Sequence, residues 1–319
     1  MMVRLLAVLL LIVATPALAQ DWPASAGTIR VIVPYAPGGP LDLPARLLID
    51  RLAAQTKGVF ILEHRPGAGG AVGAQAVVQS VPDGSTFLFA SSSIAAAPAL
   101  YPKLGFDPLQ ALVPISLVTE FPISVAVRAD SPISDLADLA AKAKAAPGKY
   151  TFGSGGVGTG NHLAGELLKR MAGIDLLHVP FRSVSLGITA MYAGDLDMVF
   201  ASVHETIDHQ RDGRLRILGV GADKRMAELP DVPTIGEQVP GYLMSNWYAL
   251  FAPRGVPEAI LTRLESELPA VRSDPTLVQR SSAAGITMLV TQPAVLRAKM
   301  EAEIPRWKQL VPQLGLKTQ

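Results

Sequence analysis

Cysteine is absent from the 319 residues. That leaves no candidate for a disulfide, a thiolate metal site or a lipid-bearing N-terminal cysteine. Charge is sparse as well. Asp, Glu, Lys and Arg make up 17% of the chain, with 28 cationic and 27 acidic side chains. Neither sign is in excess, so nucleic acid and an anionic membrane surface are not expected partners. Aromatic residues are few, at 6%. The one long unbroken apolar run, Leu5 to Val13, is too short to span a bilayer as a helix. What remains is a chain that is 49% hydrophobic and long enough for roughly two domains with sizeable cores.

The N-terminus has the order of a secretory signal. Arg4 precedes the apolar run, and Ala17-Leu18-Ala19 follows it as an A-x-A cleavage site. Residues 1–19 are expected to be removed, and the periplasm is the expected destination. Arg4 is the only charged residue in that segment, so the rest of the chain carries equal numbers of each sign. An exported chain without disulfides must rely on its cores for stability.

Beyond the signal, β-rich and helical patterns alternate. "TIRVIVPY" (28–35) is a strand pattern. In "LDLPARLLIDRLAAQTKG" (41–58), Leu43, Leu47, Leu48 and Leu52 share one helical face. "VFILEHR" (59–65), a glycine-rich turn into a small-residue helix (66–80), and "TFLFAS" (86–91) complete a βαβαβ unit with a mostly parallel sheet. The pattern weakens through the proline-rich stretch 97–114. "ISLVTEFPISVAVRA" (115–129) is long for one strand and is interrupted by Pro122, as expected of a strand crossing between two domains. A helix is expected within 134–149. "YTFGSGGVGTGNHLAGELLKRMAG" (150–173) then repeats the strand, glycine loop, helix arrangement. A strand at 246–257 and two further helical segments close the chain. Two α/β units with loops at strand ends suggest a cleft that closes on a ligand.

Several motifs carry alternatives. "VPYAPGGPLDLPAR" (33–46) bares Gly38 and Gly39 before a helix. They serve either a tight turn, or an anion that reaches the helix N–H groups. "GSGGVG" (153–158) matches the dinucleotide fingerprint literally, but its acid, Asp175, begins a strand where a ribose-binding acid belongs at the end. A plain turn and an anion site of loop amides remain open there too. Ser154 and His162 could join a hydrolase triad, although no G-x-S-x-G pentad surrounds Ser154. His162 and Glu166 are spaced to pair on a helix surface, and His162, at a helix start, should stay neutral and donate a hydrogen bond. The five histidines show no metal-ligand spacing. Asp42 is open to three readings: helix cap, ligand contact or solvated side chain.

These stretches together resemble the tripartite tricarboxylate transporter substrate-binding proteins, the Bug family of periplasmic receptors. The resemblance runs in order through "VPYAPGGPLDLPAR", "EHRPGAGGAVGAQAV", "PDGSTFLFASSS", "PGKYTFGSGGVGTGNHLAGELL", "AGIDLLHVPF", "GRLRILGVGADKR", "LPDVPTIGEQVPGY" and "WYALFAPRGVP". It implies an α/β, type II periplasmic-binding-protein fold, with two lobes, two crossover strands and a deep cleft. The implied division is 20–121 with 247–319 as lobe 1, and 122–246 as lobe 2. The implied ligand is a small organic carboxylate held by backbone N–H groups and ordered water. Carried over by motif, Tyr35, Ala36, Gly38, Gly39 and Asp42 would line one wall, with Ser91 and Ser92 beside them. Ser154, Gly155, Gly158, Thr159 and His162 would line the other. The resemblance implies delivery of the ligand to the membrane permease subunits of a tripartite tricarboxylate transporter, without catalysis, cofactor or metal, by a monomer. A receptor for a signalling partner and a serine hydrolase are the alternatives. The chain departs from the family pattern at Phe181-Arg182-Ser183, where Tyr-Lys-Gly is common, and at His64, Ser85 and Gly219-Val220-Gly221.

Overall fold

The computed structural model describes residues 22–283 and 286–314. The expected signal segment lies outside the described residues. Nine strands form one continuous sheet: β1 (Thr28–Val33), β2 (Val59–His64), β3 (Thr86–Ser91), β4 (Leu112–Arg128), β5 (Thr151–Ser154), β6 (Leu177–Pro180), β7 (Met198–Ser202), β8 (Leu215–Val220) and β9 (Ser245–Pro253). Their order is β2-β1-β3-β9-β4-β7-β5-β6, with β8 also paired to β4. The β1–β2, β1–β3, β5–β6 and β5–β7 pairs are parallel, while β4 and β9 run antiparallel to their neighbours.

The sheet divides along β4. From Leu112 to Pro122 this strand pairs with β9; from Ile123 to Val127 it pairs with β7, and from Ser124 to Arg128 with β8. Pro122, which has no N–H to donate, sits where the partners change. The chain between β8 and β9 crosses at the same level. Gly221 donates to Ile123, and Met244 donates back to Gly221. Two α/β lobes thus share two long connecting strands. The interrupted apolar run expected at 115–129 is this crossing strand, three residues longer at its N-terminal side.

Strand alternation sorts the core. On β3, Phe87 and Phe89 pack with Leu48, Leu52 and Ile260 on one face of the sheet, while Leu88 and Ala90 pack with Trp247 and Phe251 on the other. The helix Asp42–Thr56 buries Leu47, Leu48 and Leu52 on its expected face. A third cluster, around Val199, Ile217 and Ile188, packs part of the second lobe, and the Trp247 cluster continues into it through Phe152, Leu163 and Phe200.

Two expectations are corrected. The proline-rich stretch begins with a helix, Ser93–Leu100, that the pattern did not reveal. Its Ser93, Ile94, Ala95, Ala96, Ala97 and Leu100 are all buried, so no apolar stripe distinguishes one face. Among the described residues after β9 there are three α-helices rather than two: Glu258–Arg272, Pro275–Ala283 and Pro293–Leu310.

Candidate functional site

Three strand–loop–helix corners meet between the lobes. β1 runs through Pro34–Leu41 into the helix Asp42–Thr56, β5 runs through 155–159 into Gly160–Ala172, and β6 runs through 181–183 into Val184–Ala193. β9 adds Asn246 and Tyr248, two residues apart and so on one face. Together with Ser91 and Ser93 these corners enclose a cavity of about 240 Å³. Tyr35, Ala36, Gly38, Gly39 and Leu41 line it from the first lobe; Gly155, Thr159, Gly160, Asn161, Arg182, Ser183 and Val184 line it from the second.

The walls are rich in unused donors. Gly39, Gly155, Gly160, Asn161 and Val184 all line the cavity, and their backbone N–H groups have no acceptor among the described residues. Each of the three helices presents its N-terminal end, which carries a partial positive charge. The Asn161 side chain is a second kind of unused donor. Asn246 Nδ2 donates to Ser202 Oγ (3.0 Å) and to Asn161 Oδ1 (3.3 Å), and Ser92 Oγ donates to Asn246 Oδ1 (3.1 Å). That network consumes the Asn161 oxygen and leaves its Nδ2 buried without an acceptor. Arg182 is the only charged side chain in the lining. A cavity with this donor set and no carboxylate is chemically suited to an anion.

Seven residues singled out from the sequence line this cavity: Tyr35, Ala36, Gly38, Gly39, Ser91, Gly155 and Thr159. Five do not. Asp42 turns back on its own loop, where Oδ2 accepts from the Gly38 N–H at 2.6 Å and Oδ1 lies 3.7 Å from His64 Nε2. Gly38 therefore brings its Cα surface to the cavity, while its N–H is already taken. Gly158 likewise donates to His162 Nδ1 at 3.1 Å. Ser92 is turned to Asn246. Ser154 is buried, with its hydroxyl 2.7 Å from His178 Nε2 and accepting from the Gly156 N–H.

His162 corrects two expectations. It is buried rather than on a helix surface, stacked on His178 with ring centroids 4.0 Å apart. Its Nδ1 accepts a bond instead of donating one, which places the proton on Nε2, facing Glu166 at 4.0 Å. Burial, followed by the charges of His178 and Lys169, lowers its pKa from 6.5 to about 3. Burial, followed by Lys169, lowers that of His178 to about 4. Both rings are neutral at ordinary pH; they pack against each other, and His162 accepts from the Gly158 loop.

The alternative motif readings fare differently. Asp175 precedes β6, at the sheet end away from the glycine loop, and approaches Lys169 at 3.8 Å; it cannot hold a ribose at 153–158. Among the described residues no carboxylate bonds His178, so Ser154 and His178 lack the third member of a triad. No cluster of metal-ligating side chains occurs among the described residues.

Asn161, Arg182, Ser183, Asn246 and Tyr248 were not picked out as site residues. Period-2 alternation along β9 could have paired Asn246 with Tyr248, and Arg182 lies in the triplet that departs from the family pattern. Asn161 gives no local signal, because its importance depends on Asn246, 85 positions away.

The cavity shares Gly38, Gly39, Ser183 and Val184 with a groove of about 610 Å³ that is also lined by Glu205 and Arg214. A separate cavity of about 380 Å³ lies on the opposite face of β9, beside Ser245 and Glu303. Its lysine and two of its acids pair with one another. Lys299 reaches Glu120 at 2.7 Å and Glu303 at 3.3 Å, and Glu303 accepts from Trp247 Nε1. Unlike the interlobe cavity, it is lined by carboxylates: Glu120, Asp223 and Glu303.

Two α/β lobes, two connecting strands and a donor-lined cavity at strand C-termini define a type II periplasmic-binding-protein architecture. The family described as tripartite tricarboxylate transporter family receptor matches residues 45–316, and the chain belongs to it. It is a periplasmic solute-binding protein of the TctC type. Among its relatives is BugT of Bordetella pertussis (strain Tohama I), 31% identical over 324 residues that cover 99% of each chain. Two solved structures are similar throughout. R. palustris Rpa4515 with adipate has a TM-score of 0.83 and 28% identity, covering 93% of this chain and 99% of that one. MatC of Rhodopseudomonas palustris with bound malate has a TM-score of 0.81 and 30% identity, covering 89% and 98%.

Proposed function

We propose that this protein captures a small organic carboxylate between its lobes, closes on it, and delivers it to the permease subunits of a tripartite tricarboxylate transporter. The observation that carries the proposal is the cavity itself: free N–H groups from two helix starts and two glycine loops, one arginine, and no acid. A carboxylate accepts several such bonds at once, and charge-assisted bonds are the stronger kind. The adipate and malate held by the two similar R. palustris proteins support the same ligand class. We further propose the division into lobe 1 (20–121 and 247–319) and lobe 2 (122–246). The change of β4's partners at Pro122 supports that boundary. Closure would bend the two connecting strands there and bring the loop 36–41 against 182–184.

Calorimetric titration with mono-, di- and tricarboxylates tests the capture step. A bound acid at about 100 times its dissociation constant should stabilise the fold by about 2.7 kcal/mol. Small-angle scattering with the same acid should show a more compact particle. Absence of binding across the three classes overturns the proposal. Uptake of the bound acid in cells lacking the permease tests delivery; unchanged uptake would separate this receptor from that transporter.

A further inference from the structure

We infer that Arg182 is the specificity-determining contact for a second carboxylate, so that the cleft selects a dicarboxylate held at both ends. This rests on the carboxylate reading above. The cavity has two distinct donor regions. The inner one lies at the connecting strands, where the orphaned Asn161 Nδ2 stands beside Asn246 of β9 and Ser202 at the end of β7. The outer one follows β6, the edge strand of the second lobe, where Arg182 precedes the helix Val184–Ala193. β5 lies between β7 and β6, so Ser202 and Arg182 are two strand spacings apart, roughly 10 Å between strand axes, and Asn161, on the helix after β5, joins the Ser202 side through Asn246.

Arg182 has no hydrogen bond or ion pair with any described residue, and it is exposed at the cavity wall. Arg46, Arg170, Arg272, Arg280 and Arg297 also lack a side-chain partner among the described residues, but none of them lines the interlobe cavity. A free guanidinium on an otherwise uncharged wall has an empty bidentate donor face. One carboxylate at the inner end satisfies Asn161 Nδ2 and the Gly160 and Asn161 N–H groups, while Arg182 and the Val184 N–H form the outer donor pair. The inner carboxylate has too few oxygens to satisfy Arg182 as well across that distance. A second carboxylate on the same ligand completes both, and lobe closure would strengthen the outer contact by excluding water.

The test pairs linear dicarboxylates of three to eight carbons with monocarboxylates of the same length. Wild type, Arg182→Gln and Arg182→Lys are titrated with each pair, with melting curves to confirm folding. Hydrogen bonds to charged groups are worth on the order of tenfold to a hundredfold in affinity. Wild type should prefer the best-fitting diacid over its matched monoacid by that factor. Arg182→Gln should weaken the diacid and leave the monoacid within about threefold, and Arg182→Lys should restore part of the preference. A preference unchanged in Arg182→Gln overturns the assignment, as does equal weakening of both acids. Either result leaves the carboxylate reading intact. Binding of no acid by wild type overturns that reading and the assignment with it.

Discussion

The two glycine loops that face each other across the cleft solve the same problem with different chemistry. In each, a glycine N–H is bonded by the side chain four residues later, at the start of the following helix. Gly38 donates to Asp42, and Gly158 donates to His162. In each, a neighbouring glycine, Gly39 or Gly155, keeps its N–H free beside the cavity. The first loop uses a charged acceptor in a half-buried setting next to His64. The second uses a neutral imidazole packed inside the lobe between Gly158 and His178. The lesson is that only part of a glycine-rich loop is available to a ligand, and side chains choose which part. The first loop is pinned at the surface and can respond to solvent. The second is pinned by the core and should give way only when that core does.

The largest break in this comparison is expected at Gly160. A Cβ there would stand 1.9 Å from Asn246 Oδ1, so Asn246 must leave its bonds to Ser92, Ser202 and Asn161. Gly160→Ala should cost about 1–3 kcal/mol from overpacking and weaken ligand binding more than tenfold. Denaturant melts and titration of the same sample check both. Native stability with full affinity would show that the Asn246 network is not part of the site.

Next, with an effect on stability alone, is the pair His162→Ala and Asp42→Ala. Removing His162 leaves a buried Gly158 N–H unpaired and a hole against His178, for about 2–4 kcal/mol. Removing Asp42 frees an N–H that water can reach, for about 1 kcal/mol. Equal losses in urea melts would refute the distinction between a core-pinned and a surface-pinned loop.

Acid should separate the loops too. His162 and His178 titrate near 6.5 when unfolded and at about 3 and about 4 in the fold. Between pH 6.5 and 4 the native state binds fewer protons, so their contribution is complete above 6.5 and is lost as pH falls through that window. After allowance for partial exposure of His178, the loss is on the order of 2–3 kcal/mol. Glu205 works in the opposite direction. Burial raises its pKa from 4.5 to about 7, opposed by its bonds from Ser202, so its contribution is full below 4.5 and is lost as pH rises through 7. Melting temperature against pH should therefore fall on the acid side, and His178→Gln should flatten that slope. An unchanged slope in the variant would assign the acid sensitivity elsewhere.

The smallest effects belong to the first loop. Gly38 has φ +79° and nothing within 4 Å of a Cβ, so Gly38→Ala should cost only conformational strain, about 1–2 kcal/mol. Asp42→Asn retains an acceptor for Gly38, so stability should move by less than about 0.5 kcal/mol. Because Asp42 faces away from the cavity, selectivity between an amino dicarboxylate and its unsubstituted analogue should be unchanged. A shift of tenfold or more would place Asp42 in contact with the ligand after all.

Much of the fold was legible because its signals are local. The periods of 41–58 and 86–91, the Pro122 interruption and the strand–glycine–helix order all follow from residues a few positions apart. So did the position of the cleft, since glycines that bare helix N–H groups must lie at the ends of the strands that precede them. The helix Ser93–Leu100 was not legible, because burial on all sides erases the stripe that marks a helix in sequence.

By itself, the sequence determined the class of the protein, its alternating α/β units and the two loops that border the cavity. Each is written in hydrophobic period, glycine placement and motif order, which depend on short stretches of chain. Only the tertiary structure decided which groups in those loops are free. Asp42 and His162 could each have turned toward the ligand or toward their own backbone, and nothing nearby in sequence distinguishes the two. The choice followed from partners brought in from afar: His64 beside Asp42, His178 beneath His162, and Asn246 across from Asn161. Hydrogen bonding saturates, so a donor claimed by one such partner is lost to the ligand, and that accounting closes only when distant strands meet.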